Sequence, residues 1–430
     1  MRSLFIFALL FSVFLYGAEK KITTLSLEIK TADKKLDHLL NEEISFICTV
    51  RNDKQTSKEE CLLVWERNGD DGKKFSGKTL VSPEKAAVLK TSLDTPGFVR
   101  IHAYLTDKDG NQLYHQVKGK KVPVVFDAGA AVAMKEIKPA LAEPVDFDEF
   151  WNRQKKYLYA IPMEPELKEL PCKDGKVRIY AVKLRCAGPR PATGYLTVPR
   201  NAKAKTLKAQ VLFYGYGLAM PSVPVTGPAS HIVFTLNTHG YDLGKPASYY
   251  HDFYKKLNTG KYSYALDPEQ NKNPESAYFY GMVMRVLRTL QFLKTLPEWD
   301  GKNLIATGGS QGGLQAIWAG GLDPDVTAVQ AGMPWCCDIG GDRTVRMKST
   351  MRPAYTAALG YYDAAYHAKR FRKDSVTTVL SAGLGDDLCP PSGIAAFYNL
   401  CNSNQKSILW IQGATHFMVP QKTDRFSLKQ

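Results

Sequence analysis

The sequence is poor in everything that would tie a chain to a bilayer, a metal ion or a nucleic acid. Beyond its first 18 residues no segment approaches the roughly 20 consecutive apolar residues that a spanning helix needs. That excludes a membrane span from the mature chain. Eight cysteines in 430 residues are too few for a disulfide scaffold. Cys48 and Cys61 either pair in an oxidising compartment or serve as small buried hydrophobes. The vicinal Cys336 and Cys337 lack the spacing of zinc ligands, so neither a metal nor a cofactor is expected. Lys and Arg outnumber Asp and Glu by 57 to 42, for a formal charge of +15. These basic residues are scattered, as in RNDKQTSKEE and KAKTLKAQ, without the basic and aromatic interleaving of a nucleic-acid module. No nucleic-acid partner is expected.

The first segment that is present is a leader. Residues 1–18, MRSLFIFALLFSVFLYGA, set Arg2 before a short apolar run that ends in Gly17 and Ala18, the layout of a secretory signal peptide. The mature chain is expected to be secreted or periplasmic. Over residues 19–135, short alternating runs (TTLSLEI, EISFICTV, LLVWERN, FVRIHAYL) are divided by the turn-forming NGDDG, DTPG and DKDGNQ. Alternation with that punctuation predicts an all-β, immunoglobulin-like sandwich. The Ala-rich DAGAAVAMKEIKPALAEP reads as a linker, with its boundaries set at 136–145.

From 146 to 430 the pattern changes. DFDEFWNRQKKYL reads as an amphipathic helix capped by Asp146. AQVLFYGYG, HIVFTLNTHG, NLIATGG, VTAVQAG, TTVLSAGLGD and SILWIQGATH are near-continuous apolar runs separated by helical patterns. Such strands belong to a parallel sheet covered on both faces, so the second domain is α/β. A helix over about 274–295 is predicted to start with Asn273 as cap and Pro274 in its first turn. It would turn Val283, Val286, Leu287, Leu290 and Leu293 to the core.

The stretch NLIATGGSQGGLQAIW packs four glycines around Ser310. Gly308-Gly309-Ser310-Gln311-Gly312 fits G-x-S-x-G between a strand and a helix, the context of a nucleophile elbow. A serine hydroxyl needs a base to take its proton and a third group to orient that base. In folds built around this elbow the acid and then the histidine follow the serine along the chain. Only His367 and His416 lie beyond Ser310. His367, in the charged YHAKRFRK, reads as a surface residue, whereas His416 closes a strand and is the candidate base. Asp386 and Asp387 both stand at a strand end, and the residues alone do not separate them. Asp338, Asp342 and Asp363 have less strand-like surroundings. An oxyanion needs two preorganised N–H donors. Gln311, directly after the nucleophile, supplies one, and the loop Gly215-Tyr216-Gly217 is the candidate for the other.

From Asp146 to the C-terminus the chain resembles the acetyl xylan esterases and cephalosporin C deacetylases of carbohydrate esterase family seven, within the α/β-hydrolase superfamily. The resemblance rests on DFDEFW, PRPATGYLTVPR, LRTLQFLKTLPEWDGKNLIATGGSQGG and GLGDDLCPPSGIAAFYN, with TGGSQGG and GLxDxxCPP the most specific. It implies an α/β-hydrolase fold, Ser310 as nucleophile, Asp386 as acid, His416 as base, and the N–H groups of Tyr216 and Gln311 as oxyanion donors. It also implies acetylated oligosaccharide or polysaccharide as substrate, cleaved through an acyl-enzyme. The chain departs from the family at His239-Gly240-Tyr241, where Arg-Gly-Gln is usual, and at His416-Phe417, where His-Glu is usual. Gly217 replaces an asparagine and Gly281 an arginine. No oligomeric state follows.

Two other readings compete. A serine peptidase of the prolyl-oligopeptidase type also uses a glycine-rich elbow, but Gln311 and the CPP element speak against it. An inactive glycan-binding hydrolase fold is disfavoured because all three triad residues are present. The sandwich carries no nucleophile with a base, so the chemistry is expected to reside wholly in the second domain. A chain starting near Glu143 is then expected to keep its turnover of small esters.

Overall fold

The computed structural model describes residues 21–52, 60–218 and 222–430, and the leader assigned to 1–18 lies outside the described residues. One sheet of ten strands organises the larger part of the chain. Side by side run Glu166–Leu170, Val177–Leu184, Ala192–Pro199, Ile232–Asn237, Leu207–Phe213, Trp299–Gly309, Ala328–Gly332, Val376–Gly383, Gln405–Ile411 and Arg425–Lys429. The six from Ile232–Asn237 to Gln405–Ile411 are parallel. Their registers pair Phe213 with Gly308, Gly309 with Gly332, Gly332 with Ser381 and Gly383 with Ile411, so these five strands end close to one level. The loops after them therefore share the carboxyl edge of the sheet, where open α/β folds build their sites.

Helices cover this sheet as the apolar pattern predicts. In the helix Tyr278–Leu293 the side chains of Val283, Val286, Leu287, Leu290 and Leu293 are fully buried. Its start differs from the expectation, lying one turn beyond Pro274. The Asn273 side chain accepts from Glu275 N at 2.8 Å, and the Asn273 carbonyl accepts from Ser276 and Ala277 N. That local turn competes with helix. The helix Phe147–Ala160 forms as expected and buries Phe147, Phe150 and Trp151. Asp146 does not cap it, because its carboxylate accepts from the Tyr361 hydroxyl instead.

The N-terminal part holds a short sheet of Lys21–Ile22, Leu113–Val117 and Lys120–Pro123 and two further sheets that face each other. One contains Leu25–Thr31, Ile44–Asn52 and Ala87–Thr91; the other contains Asp37–His38, Val125–Val132, Gly97–Thr106, Cys61–Gly69 and Lys74–Val81. Ile29, Phe46 and Leu89 of the first meet Leu63, Ile101 and Ala130 of the second in one core. Cys48 is a free thiol in that core rather than half of a disulfide with the buried Cys61, and burial pushes it up to about 12.

The Ala-rich stretch is not a loose tether. Its first residues complete the strand Val125–Val132, which pairs along its length with Gly97–Thr106. The rest is fastened to the α/β part. Ala140 N donates to Asp338 Oδ1 at 2.8 Å, Tyr366 donates to the Leu141 carbonyl at 2.7 Å, and Lys369 pairs with Glu143 at 2.7 Å.

Candidate active site

Gly308 and Gly312 flank Ser310 because backbone occupies the space a Cβ would need. A Cβ on Gly308 would lie 2.4 Å from the Gly312 carbonyl, and one on Gly312 would lie 2.3 Å from the Phe213 carbonyl. The strand, the following helix Gln311–Leu322 and the neighbouring strand end therefore touch through main chain alone. Ser310 itself sits at φ 55°, ψ −122°, a conformation that L side chains rarely adopt. Its N–H donates to Gly332 O at 2.8 Å and its carbonyl accepts from Trp335 N at 3.1 Å, so both flanks of the turn are tied down.

The predicted serine, acid and histidine meet at this turn. His416 Nε2 lies 3.0 Å from Ser310 Oγ, and His416 Nδ1 lies 2.9 Å from Asp386 Oδ2. Asp386 also accepts at Oδ1 from Leu388 N at 2.9 Å and Cys389 N at 2.8 Å. A carboxylate held by three donors points one way only. Against an acceptor, Nδ1 carries the ring proton, which leaves Nε2 as the acceptor for the serine O–H. The carboxylate bonded to the histidine is that of Asp386; the main-chain carbonyl of Asp387 accepts from Thr350 N at 2.8 Å.

The loop after Leu207–Phe213 comes beside the nucleophile. A Cβ on Gly215 would lie 3.9 Å from Ser310 Cβ. Two residues that the motif search missed hold this loop. Tyr264 is fully buried, stacks on Tyr216 at 4.2 Å, accepts from Gly217 N at 3.0 Å and donates to Gln311 Oε1 at 2.8 Å. One hydroxyl thus links the two segments expected to carry oxyanion donors. His239 Nε2 faces the Gly217 carbonyl at 2.8 Å and Nδ1 faces the Tyr278 hydroxyl at 2.8 Å. A carbonyl only accepts, so Nε2 bears the proton, and burial holds this histidine down at about 3, neutral. Tyr264 has no motif spacing. His239 appeared in the sequence only as a departure from Arg-Gly-Gln.

Gly281 has a physical reason as well: a Cβ there would lie 3.2 Å from Nη1 of the buried Arg285. His367 corrects the sequence reading. It is fully buried, not at the surface; Nε2 contacts the Tyr361 carbonyl at 2.9 Å, its ring stands edge-on to Phe147, and burial holds it down at about 3.

Sequence spacing showed no ligand cluster, yet Asp386, Cys389 and His416 offer donor atoms within 4.8 Å of one another. The donor set fits an ion poorly. Both carboxylate oxygens are already engaged, and burial pushes the Cys389 thiol well above its ordinary range. Binding there would break the hydrogen bonds that orient His416. A second group, Asp33, His38 and Glu42, already has Lys35 Nζ at 3.6 Å and 3.8 Å from its two carboxylates.

The acetyl xylan esterase (AXE1) family profile matches residues 131–356 and 352–427. Acetyl esterase Axe7A of Xylanibacter ruminicola is 25% identical over 352 residues, covering 78% of this chain and 74% of that protein. Two solved structures agree in fold. The acetyl xylan esterase from Paenibacillus sp. R4 superposes with TM-score 0.55 at 21% identity, over 67% of this chain and 94% of its own. Acetyl xylan esterase 1 from Thermoanaerobacterium sp. JW/SL YS485 gives 0.54 at 20%, over 67% and 93%. Together with a glycine elbow that sets a serine against a histidine and a carboxylate, this makes the chain a member of the acetyl xylan esterase family and a carboxylic ester hydrolase.

Proposed function

We propose that the protein is an exported serine esterase that removes acetyl groups from acetylated xylan-derived or related carbohydrates. The observation that carries the mechanism is the unbroken hydrogen-bond chain from Asp386 through His416 to Ser310. His416 Nε2 takes the hydroxyl proton as Ser310 Oγ attacks the acetyl carbonyl. The backbone N–H groups of Tyr216 and Gln311 receive the oxyanion. The proton then passes from His416 to the departing sugar oxygen, leaving an acetyl-serine. Water, activated by the same histidine, hydrolyses that ester and regenerates Ser310. Asp386 keeps the imidazole in the required tautomer throughout.

Export rests on the leader-like residues 1–18. The two facing sheets with their shared core support an immunoglobulin-like unit over about 19–135, ahead of an α/β-hydrolase unit over about 146–430. Among the described residues no helix is long and apolar enough to cross a membrane. The test is acetate release from acetylated xylo-oligosaccharides, run in parallel with fluorophosphonate labelling. The wild type should do both, and Ser310→Ala should do neither. Loss of a triad member lowers turnover by about ten-thousandfold or more. A Ser310→Ala protein retaining a tenth of the activity would reject the assignment.

A further inference from the structure

The strand Val125–Val132 is covered on both faces, and its two faces belong to different cores. Phe126, Ala128, Ala130 and Val132 lie in the N-terminal core, whereas Ala131 belongs to the core of the α/β part. Asp127 and Gly129, on the same face as Ala131, meet the loops that carry the acid and the base. A Cβ on Gly385, directly before Asp386, would lie 2.3 Å from Asp127 Cβ and 2.6 Å from its carbonyl. A Cβ on Gly129 would lie 2.7 Å from the Leu384 carbonyl. Gln412, four residues before His416 and 1% exposed, accepts from Gly129 N at 2.7 Å and donates to Gly129 O at 2.9 Å. Gly413, at φ 72°, packs against the Phe126 ring. The two loops are also joined to each other, since Gly385 N donates to Ala414 O at 3.0 Å and Leu384 N to Ile411 O at 3.0 Å.

We infer that the N-terminal unit positions the active site: through Asp127, Gly129 and the Gln412 side chain, its strand Val125–Val132 sets the separation of Asp386 and His416. This rests on the triad assignment above. Asp127 is itself anchored. Although burial pushes its carboxyl up, hydrogen bonds and charge from His102, at 2.8 Å, and Arg100, at 2.6 Å, hold it below the usual range. A second anchor lies further along the interface, where Asp70 accepts from Phe98 N at 2.8 Å on its own side and from Met347 N at 3.0 Å on the other. The interface therefore adds directional polar contacts to apolar packing such as Phe98 on Trp410, an arrangement suited to fixing a register. A flexible tether between independent units would need neither the glycine clearances nor the buried amide.

The experiment uses the full chain with Gln412→Ala and Gln412→Glu, assayed on a small acetyl ester with active sites titrated by fluorophosphonate. A glutamate keeps the side-chain volume and the bond from Gly129 N, and donates to Gly129 O only while it carries a proton. Outer partners that orient metal ligands contribute about 10- to 100-fold, and the same scale is taken for Gln412. Gln412→Ala should lose about that factor in kcat, with KM little changed and a matching drop in labelling rate, and Gln412→Glu should fall between it and the wild type. Leu89→Ala, in the N-terminal core away from the interface, should lower the melting temperature and leave kcat unchanged. Wild-type kcat in both Gln412 variants, whatever their melting temperatures, overturns the inference. Should neither variant fold, hydrogen exchange on the native chain decides. The amides of Gly129 and Gly385 should open together, and independent opening overturns it. An active Ser310→Ala would instead sink the triad assignment and leave the interface geometry intact.

Discussion

Removing a single oxygen from Tyr264 tests how the oxyanion segments are held. Tyr264→Phe keeps the ring stacked on Tyr216 but strands the Gly217 N–H, which donates to the hydroxyl at 3.0 Å, and Gln311 Oε1, which accepts from it at 2.8 Å. Each buried polar group left without a partner costs about 1–3 kcal/mol, so stability should drop by roughly 3 kcal/mol and the melting temperature by several degrees. The catalytic effect has a separate origin. Complete loss of one oxyanion donor lowers kcat by about 100- to 1000-fold. Loosening both without deleting either should be worth about tenfold. Thermal unfolding by circular dichroism measures the first effect, and kcat on a small acetyl ester, below the onset of unfolding, measures the second. A variant that melts earlier yet turns over within twofold of the wild type would show that Tyr264 supports the fold without supporting the site. Unchanged melting would refute the hydrogen-bond reasoning itself.

Asp386→Asn should lose activity, by about ten-thousandfold where an amide forces the wrong histidine tautomer. Asp387→Asn should keep most of it, and kinetics showing the reverse ranking would reassign the acid. The buried His367 is held at about 3, below the roughly 6.5 of an unfolded chain, so its neutral form favours the fold. Its contribution is complete above about pH 6.5 and declines as pH falls toward 3. The unfolding free energy of the wild type minus that of His367→Gln should drop by about 2 kcal/mol between pH 7 and pH 5. A difference that stays flat in denaturant titrations would place the histidine in water.

How much of this was legible depends on whether the deciding force is local. The elbow was legible because its cause lies within a few residues, namely main-chain contact between strand, turn and helix, and only glycine permits it. His416 was legible from its place after a strand. The choice between Asp386 and Asp387 was not, since neighbouring carboxylates on one loop differ only in direction. That direction is set by Leu388 N and Cys389 N, whose positions depend on the turn. His367 misled for a related reason. Its charged neighbours Lys369 and Arg370 face outward to Glu143 and Asp148, while Ala364, Ala365 and Ala368 share its buried side. Mean local charge hid a helical face.

The N-terminal boundary shows the same limit on a larger scale. Alternation and turn chemistry located Leu25–Thr31, Ile44–Asn52, Cys61–Gly69 and Gly97–Thr106, because those signals are carried by each strand alone. Lys74–Val81 and Ala87–Thr91 were not singled out, and most of Val125–Val132 reads as linker. They did not show that Val125–Val132 has a second face to cover. Its small residues, Ala128, Gly129, Ala130 and Ala131, read as a spacer in composition, yet all are buried, Ala128 and Ala130 in the N-terminal core and Gly129 where the strand meets the Leu384 carbonyl. The family profile begins at residue 131, inside that strand. Conserving only the catalytic unit from near Glu143 would therefore strip Gly129 from Gln412 and Phe126 from Gly413, exposing one side of the acid and base loops. The expectation that a chain starting there keeps full small-ester turnover treats the linker as the physical boundary. Hydrogen bonds and packing join the two parts along Val125–Val132, because the strand that closes one core also walls the other.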